Sequence, residues 1–193
     1  SSDLYVMILS GECSKYGFFD ILICSLHRLF KYLIHKKPFA IIGVDVGPPS
    51  AKVQDIILAA MATEPDISFA PVQVQKLFFL IDQDVAGPVG GPFFNFEPYD
   101  YGPYDKDVYR QLEMLEVEGL VYIEQDSSTN RRSYGLTSKG FNVGQEKLAA
   151  LPPVTAQYLS DISEWMRSLT FAQLVGEVYK AFPAMKVNSV FQG

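Results

Sequence analysis

The sequence predicts a mainly α-helical protein with one small β-hairpin, and three observations carry that expectation. From Asp105 onward the apolar residues Val108, Leu112, Leu115 and Val117 fall close to a helix's 3.6-residue period, and Gly119 follows where a left-handed C-terminal cap costs least. Residues 120–123 and 133–136 are short β-prone runs, separated by residues 126–132, whose polar composition suits a hairpin tip. Two further apolar stripes lie upstream: Val53, Ile56, Ile57, Ala60 and Met61, then Val74, Leu77, Phe78 and Ile81.

In chain order, residues 4–9 and 39–44 are apolar β-prone runs around a helical pattern over residues 17–36. Asp20, His27, Arg28 and Lys31 interrupt that pattern too often for a membrane span of about 20 apolar residues. No basic region precedes the apolar run as in a signal peptide, so no membrane association is expected. Gly47-Pro48-Pro49-Ser50 marks a boundary, because the prolines fix φ and remove donors. Residues 1–50 are thus expected to be an N-terminal extension or appendage, and residues 51–193 to fold without them. The first stripe of that part ends at Glu64-Pro65, since the residue before proline is pushed out of helical geometry. Residues 67–69 can supply a short strand, and Pro71 suits the first turn of a helix running to Asp84.

Residues 87–92, Gly-Pro-Val-Gly-Gly-Pro, are expected to have no regular structure, and the aromatic-rich residues 93–104 read as an extended insertion. A third helix follows, with Asp105 as its cap and Asp107 suited to its positive N-terminal end. After the hairpin, residues 138–151 form a helix stopped by Pro152-Pro153, and residues 154–167 another; Thr170 caps a last one, which ends at Phe182-Pro183. Helix, strand, helix, then helix and hairpin is the order of a winged helix-turn-helix domain. It is expected over residues 51–150, with C-terminal helices over residues 151–193 packed on it.

The wording adds a resemblance. Y-R-x-L-x-x-L-E-x-E-G-L-V from Tyr109, a polar loop and then R-R-x-Y-x-L-T-x-K-G to Gly140 resembles the third helix and wing of PadR- and MarR-type proteins. Gln75-Lys76-Leu77, followed by Tyr101-Gly102-Pro103 and a helix, is similar to the YwgA-like and Panacea-type bacterial families, and the ending from Ser168 to Pro183 resembles the C-terminal helices of the YwgA-like proteins. The resemblance covers roughly residues 52–191. It implies a winged helix whose third helix and wing tip carry contacts, and, through the Panacea-type antitoxins, a capacity to hold a protein partner.

Chemistry narrows the function. Cys13, Cys24, His27 and His35 all lie in the first 35 residues, and their spacing lacks the close cysteine pair of structural zinc sites. With no disulfide framework visible, a reducing, cytoplasmic compartment is expected. Residues 51–193 hold no Cys or His, which removes the commonest nucleophile–base and metal arrangements; the expectation is a non-enzymatic protein without metal or cofactor. Asp100, Asp105 and Asp107 are better read as helix-capping and loop charges than as a carboxylate pair. Net charge is −6; residues 1–50 hold five Lys/Arg against four Asp/Glu, leaving eleven against eighteen, or −7, for the rest. Counterion release by Lys and Arg drives DNA binding, so an acidic winged helix needs a local basic patch. Lys106, Arg110 and Gln111 on the third helix, Asn130, Arg131 and Arg132 on the wing, and Lys139 beyond it are the candidate duplex-DNA contacts of a transcriptional regulator. The alternative is an antitoxin-like or defence-associated interaction module. Its partner surface would be Phe93, Phe94, Phe96, Tyr99, Tyr101 and Tyr104, with the C-terminal helices. A homodimer is compatible with either.

Overall fold

The structure, a computed structural model, describes residues 52–192. The expectations for residues 1–50, including the helix over residues 17–36, the two β-prone runs and the Cys/His spacing, lie outside the described residues.

The described chain is mainly helical. Its order is α1 (Val53–Met61), β1 (Ser68–Phe69), α2 (Pro71–Asp84), α3 (Ala86–Val89), β2 (Glu97–Tyr99), β3 (Gly102–Tyr104), α4 (Lys106–Val117), β4 (Val121–Gln125), β5 (Arg132–Leu136), α5 (Ser138–Ala150), α6 (Pro153–Ser168) and α7 (Phe171–Ala181), followed by a 3₁₀ turn over Pro183–Lys186. The hairpin β4–β5 forms where expected, with Val121 opposite Leu136 and Gln125 opposite Arg132. It is not alone. β1 pairs antiparallel with β5, Phe69 opposite Tyr134, giving a three-stranded sheet in the order β1-β5-β4.

Local chemistry sets the helix ends. The Asp105 carboxylate accepts from the Asp107 N–H at 2.8 Å at the start of α4, Thr137 accepts from Gly140 N–H at 3.0 Å at the start of α5, and Thr170 accepts from Gln173 N–H at 3.4 Å at the start of α7. Gly119 takes φ +69°, which lets the chain leave α4 and turn into β4. Ala70 has no side chain with which to cap α2, so Gln73 reaches back and accepts from the Ala70 N–H at 2.8 Å.

Packing departs from the expected stripes. On α1, every residue from Ile56 to Met61 is buried, and on α2 every residue from Val74 to Asp82. Both helices are covered on all sides, α1 chiefly by α5 and α6, and α2 by α6 and the strand β3. Gly144 makes the first of these contacts possible, since a Cβ there would stand 2.5 Å from the Leu58 carbonyl oxygen and from the Ala62 Cβ. By contrast α4 buries only Val108, Leu112 and Leu115. Val117, expected on that face, is 90 % exposed, because two residues beyond Leu115 a helix has turned through about 200°.

The segment between α2 and α4 is more ordered than expected. Residues 87–89, expected to be irregular, belong to the short helix α3, whose proline lies where a missing N–H costs nothing, and Gly90, at φ +82°, closes it; residues 91–92 have no regular structure, as expected. The expected extended insertion instead folds back as a second hairpin, with Glu97 opposite Tyr104 and Tyr99 opposite Gly102.

Candidate functional site

The site is built from α2 outward. Gln75, Lys76 and Asp82 are 2 %, 3 % and 6 % exposed in a helix otherwise packed with Leu, Phe, Val and Ile. A buried polar group without a partner is costly, and each of these finds one in the segment between α2 and α4. Asp82 accepts from the Phe93 N–H at 3.0 and 3.1 Å and from the Phe94 N–H at 2.9 Å. Gln75 donates to the Asp105 carbonyl at 2.9 Å and accepts from the Asp105 N–H at 3.0 Å, as one strand pairs with another. Lys76 Nζ donates to the Pro103 carbonyl at 3.0 Å. Three grips along one helix fix the start, the second hairpin strand and the end of the segment.

These groups carry electrostatic signatures. Burial away from water lowers the Lys76 ammonium to about 7. Burial also raises Asp82; the Phe93 and Phe94 N–H groups oppose that shift and the charge of Asp105 adds to it. The close approach at Lys76 depends on Gly102, which takes φ +99°; a Cβ there would lie 3.2 Å from the Tyr179 ring and 3.6 Å from Lys76 Nζ.

Between the second hairpin, the start of α2 and the start of α7 lies a cleft of about 460 Å³. Its lining includes Gln73, Gln75, Lys76, Tyr99, Tyr101, Tyr104, Tyr109, Phe171 and Leu174, with Arg131 from the β4–β5 tip. Two runs of touching rings flank it. Tyr99–Tyr104 (5.0 Å), Tyr104–Tyr109 (6.0 Å) and Tyr109–Tyr134 (5.7 Å, nearly parallel) form one, and Tyr101–Phe171 (5.1 Å), Phe171–Phe191 (5.9 Å) and Phe191–Tyr179 (6.5 Å) the other. Tyr109 also donates to the Pro71 carbonyl at 3.2 Å, and burial raises its phenol to about 12.

The six expected partner-binding aromatics therefore separate. Phe93, Phe94 and Phe96 are half-buried, and Phe94 and Phe96 pack on α2, Phe94 at 6.0 Å from Phe78 and Phe96 at 5.4 Å from Phe79. Tyr99, Tyr101 and Tyr104 line the cleft, with Tyr99 and Tyr101 53 % and 44 % exposed.

The expected DNA-contact residues separate too. Asn130, Arg131 and Arg132 stand together with Ser68, Pro71 and Gln125 around a second, more open groove beside the hairpin tip. Asn130 adopts φ +55° and accepts from the Gln125 side-chain amide. Lys106 and Arg110 are exposed on the first turns of α4, where Arg110 pairs with Asp107 at 3.0 Å; Gln111 is half-buried. Lys139 is held elsewhere, donating to the Glu118 carbonyl at 3.2 Å at the far end of α4, about 18 Å from its start.

Gln75, Lys76, Asp82, Tyr109 and Phe171 were not expected as site residues. The available signal for the first three was polar side chains set inside an apolar run, at spacings that leave no single solvent face. Comparison with protein families and with curated proteins finds no match for this chain. Among the described residues no cluster of three His, Cys, Asp or Glu side chains is placed to hold a metal, and no helix is long and apolar enough to cross a membrane.

Proposed function

We propose that the described residues contain a winged helix-turn-helix domain that acts by binding rather than catalysis, as a DNA-binding transcriptional regulator. The observation that carries this reading is the order α1-β1-α2-α4-β4-β5 with β1 paired to β5, in which α4 keeps all but three residues off the core and the hairpin projects a tip bearing Arg131 and Arg132. In this reading Lys106, Arg110 and Gln111 face the major groove, and Asn130, Arg131 and Arg132 meet phosphate. The resemblance to PadR- and MarR-type wings supports it; an acidic surface limits it, since Glu113, Glu116 and Glu118 crowd the second half of α4.

Gel shifts over genomic duplex fragments at two salt concentrations test it. Binding is expected to weaken steeply with salt, and changing both Arg131 and Arg132 to Ala to lower the log–log salt slope by about 2, at roughly 0.9 per phosphate. No shift at either salt would overturn the reading.

One observation favours a second reading, an antitoxin-like module that holds a protein partner. Met114 and Val117, one helical turn apart on α4, are 47 % and 90 % exposed. They lie among the glutamates that repel phosphate. A pull-down that yields a stoichiometric protein partner, survives the double arginine change and fails with Val117→Asp would select this reading. Phe94 is a poorer probe, because it packs on Phe78 and its loss disturbs the fold.

A further inference from the structure

The chain as a whole is acidic, with 22 Asp/Glu against 16 Lys/Arg, yet among the described residues the lining of the tyrosine cleft holds Lys76 and Arg131 and no carboxylate. Lys76 lies at the buried end and Arg131 at the exposed rim. The ammonium has three N–H groups, of which one donates to Pro103, and among the described residues no acidic side chain pairs with it. Taking such a charge out of water without a counter-ion is unfavourable, and an arriving anion removes the penalty. The walls beside it are flat and apolar: Tyr99, Tyr104 and Tyr109 on one side, Tyr101 and Phe171 on the other. The start of α2, at Pro71 and Val72, adds the positive end of a 14-residue helix to the same space.

We propose that this cleft binds a small organic monocarboxylate with a flat apolar body, its carboxylate at Lys76 and its body between the two runs of rings. The volume of about 460 Å³ is that of a small-molecule site, not of a protein segment. A carboxylate matches the two N–H groups of Lys76 that Pro103 leaves over. A phosphate monoester brings nearly two charges and three acceptor oxygens to a floor that offers too few donors for them. Gln75, at the same depth, is already committed to Asp105 and adds nothing for a larger anion. The site does not depend on whether the α4 face binds DNA or protein.

Isothermal titration calorimetry on the full chain tests it with three probes of one shape: 2-naphthoate, 2-naphthyl phosphate and the neutral 2-naphthalenemethanol. The expected result is saturable binding of naphthoate at one site per chain, at least about tenfold tighter than either of the others. Lys76→Met is expected to weaken naphthoate about tenfold or more, the loss typical of a charge-assisted contact, and Tyr101→Ala about threefold or more, because it removes part of the ring wall against the apolar body. Tyr101 lines the cleft and is 44 % exposed, so its variant keeps the test decisive if Lys76→Met fails to melt cooperatively. Overturning results are no saturable heat, equal affinity for the neutral alcohol, tighter binding of the phosphate, or unchanged affinity in the Tyr101 variant.

Discussion

Two irregular parts of the molecule, the segment over residues 85–105 and the β4–β5 tip over residues 126–131, are held in opposite ways. Gln75, Lys76 and Asp82 hold the first from another element, through hydrogen bonds that span 11 to 30 residues of sequence. The second is held by itself. The Asp126 carboxylate accepts from the Ser128 N–H at 2.7 Å, the Ser128 hydroxyl at 2.6 Å and the Thr129 N–H at 3.3 Å, and the Asn130 N–H donates to the Asp126 carbonyl at 2.7 Å. The difference is between a wall and a finger. A segment gripped by a buried helix keeps the cleft's shape, whereas a tip with only local bonds can shift toward a ligand without disturbing the core.

The largest expected effect breaks the wall. Asp82→Ala leaves the Phe93 and Phe94 N–H groups without their acceptor, and is expected to cost about 3 kcal/mol in urea unfolding. A loss below about 1 kcal/mol would mean that the segment is anchored elsewhere.

A smaller effect sharpens the comparison through pH. The ammonium of Lys76 is held at about 7 in the folded chain, below its unfolded value, so above neutrality the unfolded chain binds more protons and stability rises with pH. Between about pH 7 and pH 9 the gain is on the order of 2 kcal/mol, and below about pH 7 this contribution levels off. Tyr109, raised to about 12, acts in the other direction only at higher pH. In Lys76→Met the rise is expected to disappear; an unchanged pH slope in that variant would show that other groups cause it.

The smallest effect concerns the finger. Hydrogen bonds from the Ser128 hydroxyl and N–H hold the Asp126 carboxyl down at about 2, although it is fully exposed. Asp126→Ala is expected to leave the unfolding midpoint unchanged while speeding amide exchange at Ser128 and Thr129. A shifted midpoint would mean that the tip supports the core after all.

The same division explains what could be read from sequence. Caps at Asp105, Thr137 and Thr170 involve neighbours two or three residues away, so those expected at Asp105 and Thr170 were legible, as was the hairpin with its arginine-bearing tip. Helical periodicity located one buried face on α1 and α2, but it could not show that other elements would cover their opposite faces. Nor could it place Val117, where a small error in phase separates core from solvent. At the site, the tyrosines stood out as a cluster. Which of them would face the cleft depended on a fold-back at Asp100-Tyr101 that no period announces. Gln75, Lys76 and Asp82 on α2 were hidden for a different reason, since the atoms they bind are 11 to 30 residues away.

The bonds that Gln75, Lys76 and Asp82 make to the segment share one property: each ends on a main-chain N–H or C=O, never on a side chain. Such clasps are indifferent to which amino acids the segment carries, beyond the glycine that lets Lys76 approach. The course of this loop can thus stay constant while its side chains are exchanged. That makes α2 a mount on which different recognition surfaces can be displayed without redesigning the domain beneath them.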